Sequence, residues 1–239
     1  MNNTGWEYYS IGTQIKLDNG DTLAFSGNNN YVNYKDDEDY YSFGGTQYFD
    51  VRGNIQSLMN FSNSLSRRCY RQLFKHAMKL VDASKLILPV TELVSACYQS
   101  MFAYCISLTA APTLPATTLA YDCYYEMFGS CSSLVTAPEL PATTMDIYCY
   151  GSMFRDCSKL TAAPYLPATT LCGACYDGMF ENCSSLTSIN VNFTEWNPIN
   201  ATDNWVKNVA STGTFTKPEA LTATSGVSNI PSGWTVINK

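Results

Sequence analysis

The stretch CYYEMFGSCSSLVTAPELPATTMDIY, residues 123–148, recurs along the middle of the chain. The four regular copies begin 26 residues apart, at Cys97, Cys123, Cys149 and Cys175. A degenerate earlier copy starts at Cys69, is two residues longer, and has Ala77 where the later copies carry a second cysteine. A period of about 20–29 residues is typical of leucine-rich repeats, in which one turn of chain must stack on its neighbours to bury its apolar side. The period therefore predicts a leucine-rich-repeat solenoid.

Within each repeat, the spacing of the apolar residues predicts a short helix followed by a short strand. In the segment Cys-Tyr-x-x-Met-Phe-x-x-Cys they occupy positions i, i+1, i+4, i+5 and i+8, which places them on one face of a helix. Pro138 and Pro141 have no N–H group to donate to a sheet, so a parallel strand is limited to residues around Leu134 to Thr136. The repeat unit is therefore predicted to have mixed α/β character.

Two end modules are predicted on either side of the repeats, which occupy residues 59–186 and amount to about 4.5 copies. Residues 1–58 are predicted to form a β-rich capping module, because Asn19-Gly20 lies between two alternating runs and signals a hairpin. Residues 187–239 are predicted to form a C-terminal cap that contains three of the four tryptophans. The other predicted elements are strands at Tyr31–Tyr34, Tyr40–Phe43, Tyr48–Val51, Ile189–Phe193, Thr214–Lys217 and Thr235–Ile237, and a short helix at Asn204–Ala210.

The composition limits the partners that the chain can have. Its formal net charge is −6 and its pI is near 4.7, whereas a nucleic-acid binder needs a basic surface, so nucleic acid is not an expected partner. No run of apolar residues is long enough to span a bilayer, so membrane insertion is not expected. The N-terminal sequence MNNTGWEYYS lacks the basic and apolar regions of a signal peptide. Either the chain is intracellular in origin, or its leader is absent from this sequence.

Most of the ten cysteines are predicted to be buried, reduced thiols. Eight of them form two ladders with the period of the repeats. Equivalent residues of stacked repeats lie about 4.7–4.9 Å apart, which is wider than the separation of about 3.8 Å between the β-carbons of a disulfide. Cys172 and Cys175 form a CxxC pair, but no second pair or histidine pair completes a zinc site, so no metal and no cofactor are expected. The two ladders are Cys97, Cys123, Cys149 and Cys175, and Cys105, Cys131, Cys157 and Cys183.

The repeat motif CYxxMFxxCxxLTxAPxLPATTL resembles the BspA-like leucine-rich repeats of surface and secreted proteins of gut Bacteroidetes, which also occur in phage-borne sequences. The segments Gly53–Leu58 and Ile230–Val236 are similar to the entry and exit segments of such arrays. The resemblance covers nearly all the chain. It implies an α/β fold: a right-handed leucine-rich-repeat solenoid with short strands and short helices. It also implies a binding or adhesion role without a defined ligand.

Catalysis is not predicted. The only histidine, His76, lies in the degenerate first repeat at a position equivalent to variable residues in later copies, which indicates a surface position. A Cys–His pair needs the two side chains within hydrogen-bond reach, and the repeated cysteines are predicted to be buried. No pair of acidic residues is marked as the acid and base of a hydrolase. The chain is therefore predicted not to be an enzyme.

The positions that differ between copies are the candidates for ligand binding. They are rich in tyrosine, serine, glycine, aspartate and asparagine, as binding loops are, although unconstrained surface positions also drift toward small polar residues. Because they occupy adjacent repeats, Tyr121 and Tyr148 are predicted to lie within about 5–10 Å of each other. One candidate surface, the connector and helix-start group, consists of Tyr121, Asp122, Tyr125, Glu126 and Tyr148. A second, the strand-edge group, consists of Thr113, Glu139 and Tyr165.

Two functions fit these features. In one, the chain is an adhesion module that recognises a protein or glycan on a cell surface, and it is extracellular or displayed at the surface. In the other, it is a structural or receptor-binding protein of a phage particle, and it is present in multiple symmetric copies in the virion. The sequence favours the first group of residues as the ligand site in either case, because it combines aromatic area with hydrogen-bonding groups.

Overall fold

The computed structural model describes residues 43–59, 65–198 and 200–239. The predicted hairpin around Asn19-Gly20 and the strand predicted at Tyr31–Tyr34 lie outside the described residues, as does nearly all of the strand predicted at Tyr40–Phe43.

Short parallel strands lie at the two ends of the repeat region. Strand β1 (Phe49–Asn54) pairs in parallel with β2 (Leu80–Ile87), and a 3-10 helix (Ile55–Met59) follows β1. At the other end, β3 (Ser188–Asn190), β4 (Thr214–Lys217) and β5 (Thr235–Asn238) form a parallel three-stranded sheet in chain order. The strands predicted at Tyr48–Val51, Thr214–Lys217 and Thr235–Ile237 are thus confirmed to within a few residues.

The predicted fold class, an α/β right-handed leucine-rich-repeat solenoid with short strands and short helices, is wrong. Within the described ranges there is no α-helix, and the 3-10 helix Ile55–Met59 is the single helical element. The strands of this described part form small parallel sheets of two and three strands. The helices predicted in the repeats and at Asn204–Ala210 are runs of hydrogen-bonded turns.

The repeated Cys-Tyr-x-x-Met-Phe-x-x-Cys segment forms a ribbon of overlapping β-turns. Alternate N–H groups bond within the segment: that of Met127 donates at 3.1 Å to the carbonyl of Tyr124, three residues earlier. The N–H groups between them bond to the next repeat: that of Phe128 donates at 2.9 Å to the carbonyl of Met153. An α-helix would direct all its N–H groups along its own axis, so it would leave no donors to join one repeat to the next.

Every fourth residue of this ribbon has a positive φ, which an α-helix does not allow. The values lie between 52° and 64°. Such a conformation costs about 1–2 kcal/mol for a residue with a Cβ, and here it allows the chain to turn and donate to its neighbour. The apolar residues recur every four positions, which suits both this ribbon and a helix, and this ambiguity is why the helix prediction failed. The residues form three left-handed columns: Arg68, Ala96, Asp122, Tyr148 and Ala174; Gln72, Ser100, Glu126, Ser152, Gly178 and Asn204; His76, Tyr104, Ser130, Asp156, Asn182 and Asn208.

The core of the repeat region consists of two columns of stacked aromatic rings. The tyrosine rings lie 5.6–5.9 Å apart, centroid to centroid, and the phenylalanine rings lie 5.4–5.8 Å apart. All these rings are buried, and the methionine that precedes each phenylalanine of the regular copies is fully buried as well. The columns are Tyr70, Tyr98, Tyr124, Tyr150 and Tyr176, and Phe74, Phe102, Phe128, Phe154 and Phe180.

The cysteine ladders lie in this core. Nine of the ten cysteines are buried free thiols, as predicted, and Cys172 is partly exposed. The sequence did not indicate that the second ladder also forms hydrogen bonds. Cys131 Sγ donates at 3.2 Å to the carbonyl of Phe102, and Cys157 Sγ donates at 3.1 Å to that of Phe128. These thiols therefore satisfy carbonyls between repeats, where a methyl group would leave them with one partner fewer.

Prolines limit the strands in the regular repeats, as expected. The regular copies are joined at this side by isolated parallel bridges, such as those of Thr136 to Ala162 and Ala162 to Ser188. The degenerate first repeat lacks the Ala-Pro pair, and its β2 runs for eight residues. The parallel strands are thus longest at the ends of the repeat region, where the Ala-Pro pair of the regular copies is absent.

The stack continues beyond the last recognisable repeat. The N–H groups of Tyr176, Gly178 and Phe180 donate to the carbonyls of Ala201, Asp203 and Trp205, with the offset that joins the earlier copies. Trp205 is fully buried, and its ring lies 6.3 Å from Tyr176 and 6.2 Å from Phe180, so it ends both ring columns. This extra turn was missed because it shares the spacing of the repeats but almost none of their residues.

Candidate functional site

The candidate surface is built on two successive β-turns that connect one repeat to the next. Tyr121 and Asp122 are the central residues of the turn that the N–H of Cys123 closes on the carbonyl of Ala120, at 3.1 Å. Tyr148 occupies the place of Asp122 in the equivalent turn one repeat later. Asp122 and Tyr148 have φ values of 56° and 57°, the conformation that the third residue of a type II turn requires. Their side chains therefore project from adjacent turns of the stack.

Three tyrosines meet at this place, and we call Tyr121, Tyr125 and Tyr148 the tyrosine surface. The ring of Tyr148 lies edge-on to that of Tyr121, at 6.4 Å and 86°, and edge-on to that of Tyr125, at 6.2 Å and 81°. These are favourable arrangements for aromatic pairs. The predicted proximity of Tyr121 and Tyr148 is thus confirmed. Tyr121 is 42% exposed, while Tyr125 and Tyr148 are partly buried, so the group presents aromatic area held in place by its own packing.

Gly151 is the residue that makes room for these rings. A Cβ at this position would lie 2.9 Å from Cδ2 of Tyr125 and 3.4 Å from Cδ1 of Tyr148. The first distance is shorter than a carbon–carbon contact permits. The absence of a side chain at Gly151 therefore lets the ring of Tyr125 lie against the backbone of the next repeat, and burial there raises the pKa of the Tyr125 hydroxyl.

Asp122 adds a carboxylate beside the rings. Its pKa is raised above the ordinary value, because partial burial penalises the charged form more than the nearby guanidinium groups stabilise it. Those groups belong to Arg67, Arg68 and Arg71 of the degenerate first repeat, and they were not identified from the sequence. The available signal was the place of Arg68, which precedes Cys69 as Asp122 precedes Cys123. A carboxylate, guanidinium groups and aromatic rings thus lie together at one surface.

Glu126, the fifth predicted residue, is engaged in the stack. Its Oε2 accepts a hydrogen bond from Ser100 Oγ at 2.8 Å and lies 3.9 Å from Lys75 Nζ. Both contacts join it to earlier repeats, so this side chain stabilises the left-handed column in which it lies. It is less available to a ligand than the three tyrosines.

The strand-edge group consists of three exposed residues, Thr113, Glu139 and Tyr165. Tyr165 has Lys239 Nζ 4.5 Å from its ring centroid, and Lys239 also donates to Asn190 Oδ1 at 2.8 Å. The side chain of Lys239 therefore occupies part of the surface formed by the strand-edge group.

A polar ladder along the third left-handed column is a further feature that the sequence did not reveal. Asn208 Nδ2 donates to Asn182 Oδ1 at 2.8 Å, and Asn182 Nδ2 donates to Asp156 Oδ1 at 2.7 Å. Beside it, Glu181 is paired with Arg155 at 3.2 Å and with Lys207 at 2.9 Å. These side chains satisfy one another across successive repeats, which indicates a structural role.

Metal-binding clusters and membrane-spanning helices are both absent from the part of the chain that is described. No group of three or more histidine, cysteine, aspartate or glutamate side chains there has an arrangement that would hold a metal ion. No helix among those residues is long and apolar enough to cross a bilayer. His76 is exposed and its ring stacks on that of Tyr104, with 4.7 Å between the centroids.

Comparisons of the chain with family models, with curated protein sequences and with solved structures find no match. A functional assignment consequently depends on the geometry of this surface alone.

Proposed function

We propose that the chain is a non-enzymatic binding module that recognises a protein or glycan on a cell surface through the tyrosine surface and Asp122. The observation that carries the proposal is the T-shaped packing of Tyr148 against Tyr121 and against Tyr125, beside a partly buried carboxylate. Rigid aromatic side chains offer contact area at low cost in conformational entropy, and a carboxylate fixes the orientation of hydroxyl or amide groups.

The chemistry of this surface suits a ligand with both apolar and hydrogen-bonding faces. The exposed ring of Tyr121 offers a π-face to the C–H groups of a sugar ring or to a peptide side chain, and Asp122 accepts hydrogen bonds next to it. The arginines beside Asp122 keep the local charge mixed, although the chain as a whole is acidic. This local balance favours a neutral or zwitterionic ligand over a highly charged one.

The first test compares ligand binding by the wild type and a Tyr121→Ala/Tyr125→Ala/Tyr148→Ala variant. Both are screened against a panel of purified oligosaccharides and a panel of immobilised extracellular protein domains. Since a few aromatic anchors carry most of the binding energy of such interfaces, the triple change is expected to weaken binding by at least about 30-fold. Because Tyr125 and Tyr148 also pack against each other, the exposed Tyr121→Ala is tested alone as the variant least expected to alter stability.

The matched control is Thr113→Ala/Glu139→Ala/Tyr165→Ala, which removes the same number of side chains from the strand-edge group. It is expected to change the affinity less than about threefold. A ligand whose affinity survives the tyrosine changes, in a protein of unaltered thermal stability, would show that the site lies elsewhere. Absence of binding to every member of both panels by the wild type would contradict the proposed function itself.

A further inference from the structure

Cys172 differs from every other cysteine of the chain in its surroundings. It is partly exposed, whereas the other nine are buried. It occupies the first position of a connecting turn, where the other copies have Ala120 and Asp146. Its Sγ lies 3.0 Å from the carbonyl oxygen of Asp146, one repeat earlier. Cys172 is thus the one partly exposed thiol among the described residues, and it lies directly beside the first ladder.

The side chains of Cys149 and Cys175, two consecutive members of the first ladder, are both within hydrogen-bonding reach of Cys172. Cys172 and Cys175 also belong to one turn: the N–H of Cys175 donates to the carbonyl of Cys172 at 3.3 Å, and the N–H of Cys172 contacts Cys175 Sγ at 3.4 Å. The ends of such a turn have α-carbons less than about 7 Å apart, which overlaps the range of about 4.4–6.8 Å found across disulfides. The backbone separation across this turn is therefore compatible with a disulfide between Cys172 and Cys175.

The two neighbouring thiols also determine the ionisation of Cys172. Hydrogen bonds from Cys149 and Cys175 stabilise its thiolate, and they outweigh the opposing effects of burial and of the charge of Asp146, so the pKa of Cys172 lies well below the ordinary thiol value. The pKa values of Cys149 and Cys175 are raised, so these groups remain protonated donors. Cys172 can therefore act as the nucleophile, and Cys175 is a buried thiol that can react with it in a second step.

We propose that Cys172 and Cys175 form a thiol–disulfide exchange site whose substrates are small-molecule disulfides, with Cys172 as the attacking group and Cys175 as the resolving group. The thiolate of Cys172 attacks one sulfur of a disulfide RSSR, forming a mixed disulfide and releasing RS⁻. Cys175 then loses its proton and attacks the sulfur of Cys172, which forms the intramolecular disulfide and releases the second RS⁻. The two protein thiols are oxidised, and RSSR is reduced to two RSH once the released thiolates take up protons.

The residues between the two cysteines suit this reaction. Cys172 is partly exposed, and Gly173 next to it has no side chain that would cover the sulfur. The equivalent turns at 120–123 and 146–149 begin with alanine and aspartate, so neither turn carries a second thiol of its own. The same fold thus contains two unreactive versions of the turn, which serve as internal controls.

The first experiment measures thiol reactivity with a fluorescent maleimide in the native protein. One thiol is expected to react fast, and its rate is expected to be nearly constant from pH 6 to pH 8, over which an ordinary thiol accelerates roughly 80-fold as it ionises. Cys172→Ala is expected to abolish the fast phase, and it should fold normally, since alanine occupies the equivalent position 120. A fast phase that persists in Cys172→Ala, or that accelerates with pH as an ordinary thiol does, would overturn the proposal.

The second experiment uses oxidised glutathione as the disulfide. The wild type is expected to lose two hydrogen atoms, and peptide mapping is expected to join Cys172 to Cys175. Cys175→Ala, which places alanine where Ala201 stands in the following turn, is expected to accumulate the mixed disulfide of glutathione with Cys172. The matched variant Cys149→Ala is expected still to close the bond. A bond to Cys149, or no bond at all, would contradict the assignment.

Discussion

Raising the pH from 8 to 10 under reducing conditions is expected to unfold the protein. All nine buried cysteines have pKa values above the ordinary range, because a hydrogen bond with Cys172 disfavours the thiolate of Cys175 and burial penalises the thiolates of the other eight; for Cys69, Cys105, Cys123 and Cys157 the value is about 12. In the unfolded chain these thiols ionise near the ordinary value of about 8.5. The unfolded state therefore loses protons that the folded state retains. Their contribution to stability is fully present below about pH 8.5 and is lost as the pH rises toward the folded values.

The expected size of this effect follows from the number of groups. At pH 9.5 each buried thiol costs a little over 1 kcal/mol of unfolding free energy, because its unfolded form is then mostly ionised. Nine such groups cost on the order of 10 kcal/mol, which is comparable to the whole stability of a typical domain. The phenolic groups of the buried tyrosine column, whose pKa values are also raised, increase the loss above pH 10.

The measurement is the unfolding free energy from denaturant titrations between pH 7 and pH 9.5, followed by tryptophan fluorescence with reductant present. Thr113→Ala is the control, because it changes an exposed side chain that does not ionise and is not expected to change the pH dependence. Two members of the second ladder, Cys131 and Cys157, are replaced by alanine in a further variant. Its unfolding free energy is expected to fall less steeply with pH, by the contribution of about two thiols. An unfolding free energy that is constant between pH 8 and pH 9.5 would contradict the buried-thiol core.

Phe128→Ala is expected to lower the free energy of unfolding by about 3–5 kcal/mol, because it leaves a cavity in the middle of a ring column. Phe128 is fully buried, and its ring stacks on those of Phe102 at 5.5 Å and Phe154 at 5.7 Å. Its backbone N–H and carbonyl also join neighbouring repeats, through Met153 and through the thiol of Cys157. The damage is therefore expected to spread beyond its own repeat.

Hydrogen exchange distinguishes a spreading effect from a local one. In Phe128→Ala, protection is expected to fall in residues 97–122 and 149–174 as well as in the mutated repeat. Val135→Ala, in the same repeat but 46% exposed, is the control, and it is expected to change stability by no more than about 0.5 kcal/mol. An unchanged exchange pattern in the flanking repeats of Phe128→Ala would show that the repeats are energetically independent.

Periodicity revealed which residues are equivalent, but it did not reveal the backbone between them. The burial of the thiols and of Phe128 followed from the repeat spacing, because equivalent residues of stacked units share one environment. The helix prediction failed because apolar residues at i, i+4 and i+8 fit a ribbon of turns as well as they fit a helix. The deciding property, a positive φ at positions such as Glu126 and Ser130, is not marked by glycine and so left no sign in the sequence.

Only part of the candidate site was predicted, because periodicity shows which residues are equivalent but not which other side chains the fold brings near them. The proximity of Tyr121 and Tyr148 follows from the period, since the two residues differ by one place in equivalent turns. The arginines near Asp122 come from the degenerate repeat more than fifty residues earlier, and only the folded stack places them there. The thiol contacts of Cys172 likewise depend on the direction of a side chain, which the motif CxxC does not specify.

Because hydrogen bonds between repeats alternate with hydrogen bonds within them, a chain of this kind can gain or lose whole repeat units. Each unit presents the same set of backbone donors on one side and acceptors on the other, so a unit can follow any other without a specialised junction. Duplication or loss of one 26-residue segment by recombination would preserve the register of the ring columns and thiol ladders. The variable turn residues would travel with the segment, so new combinations of surface side chains would arise on an unchanged core.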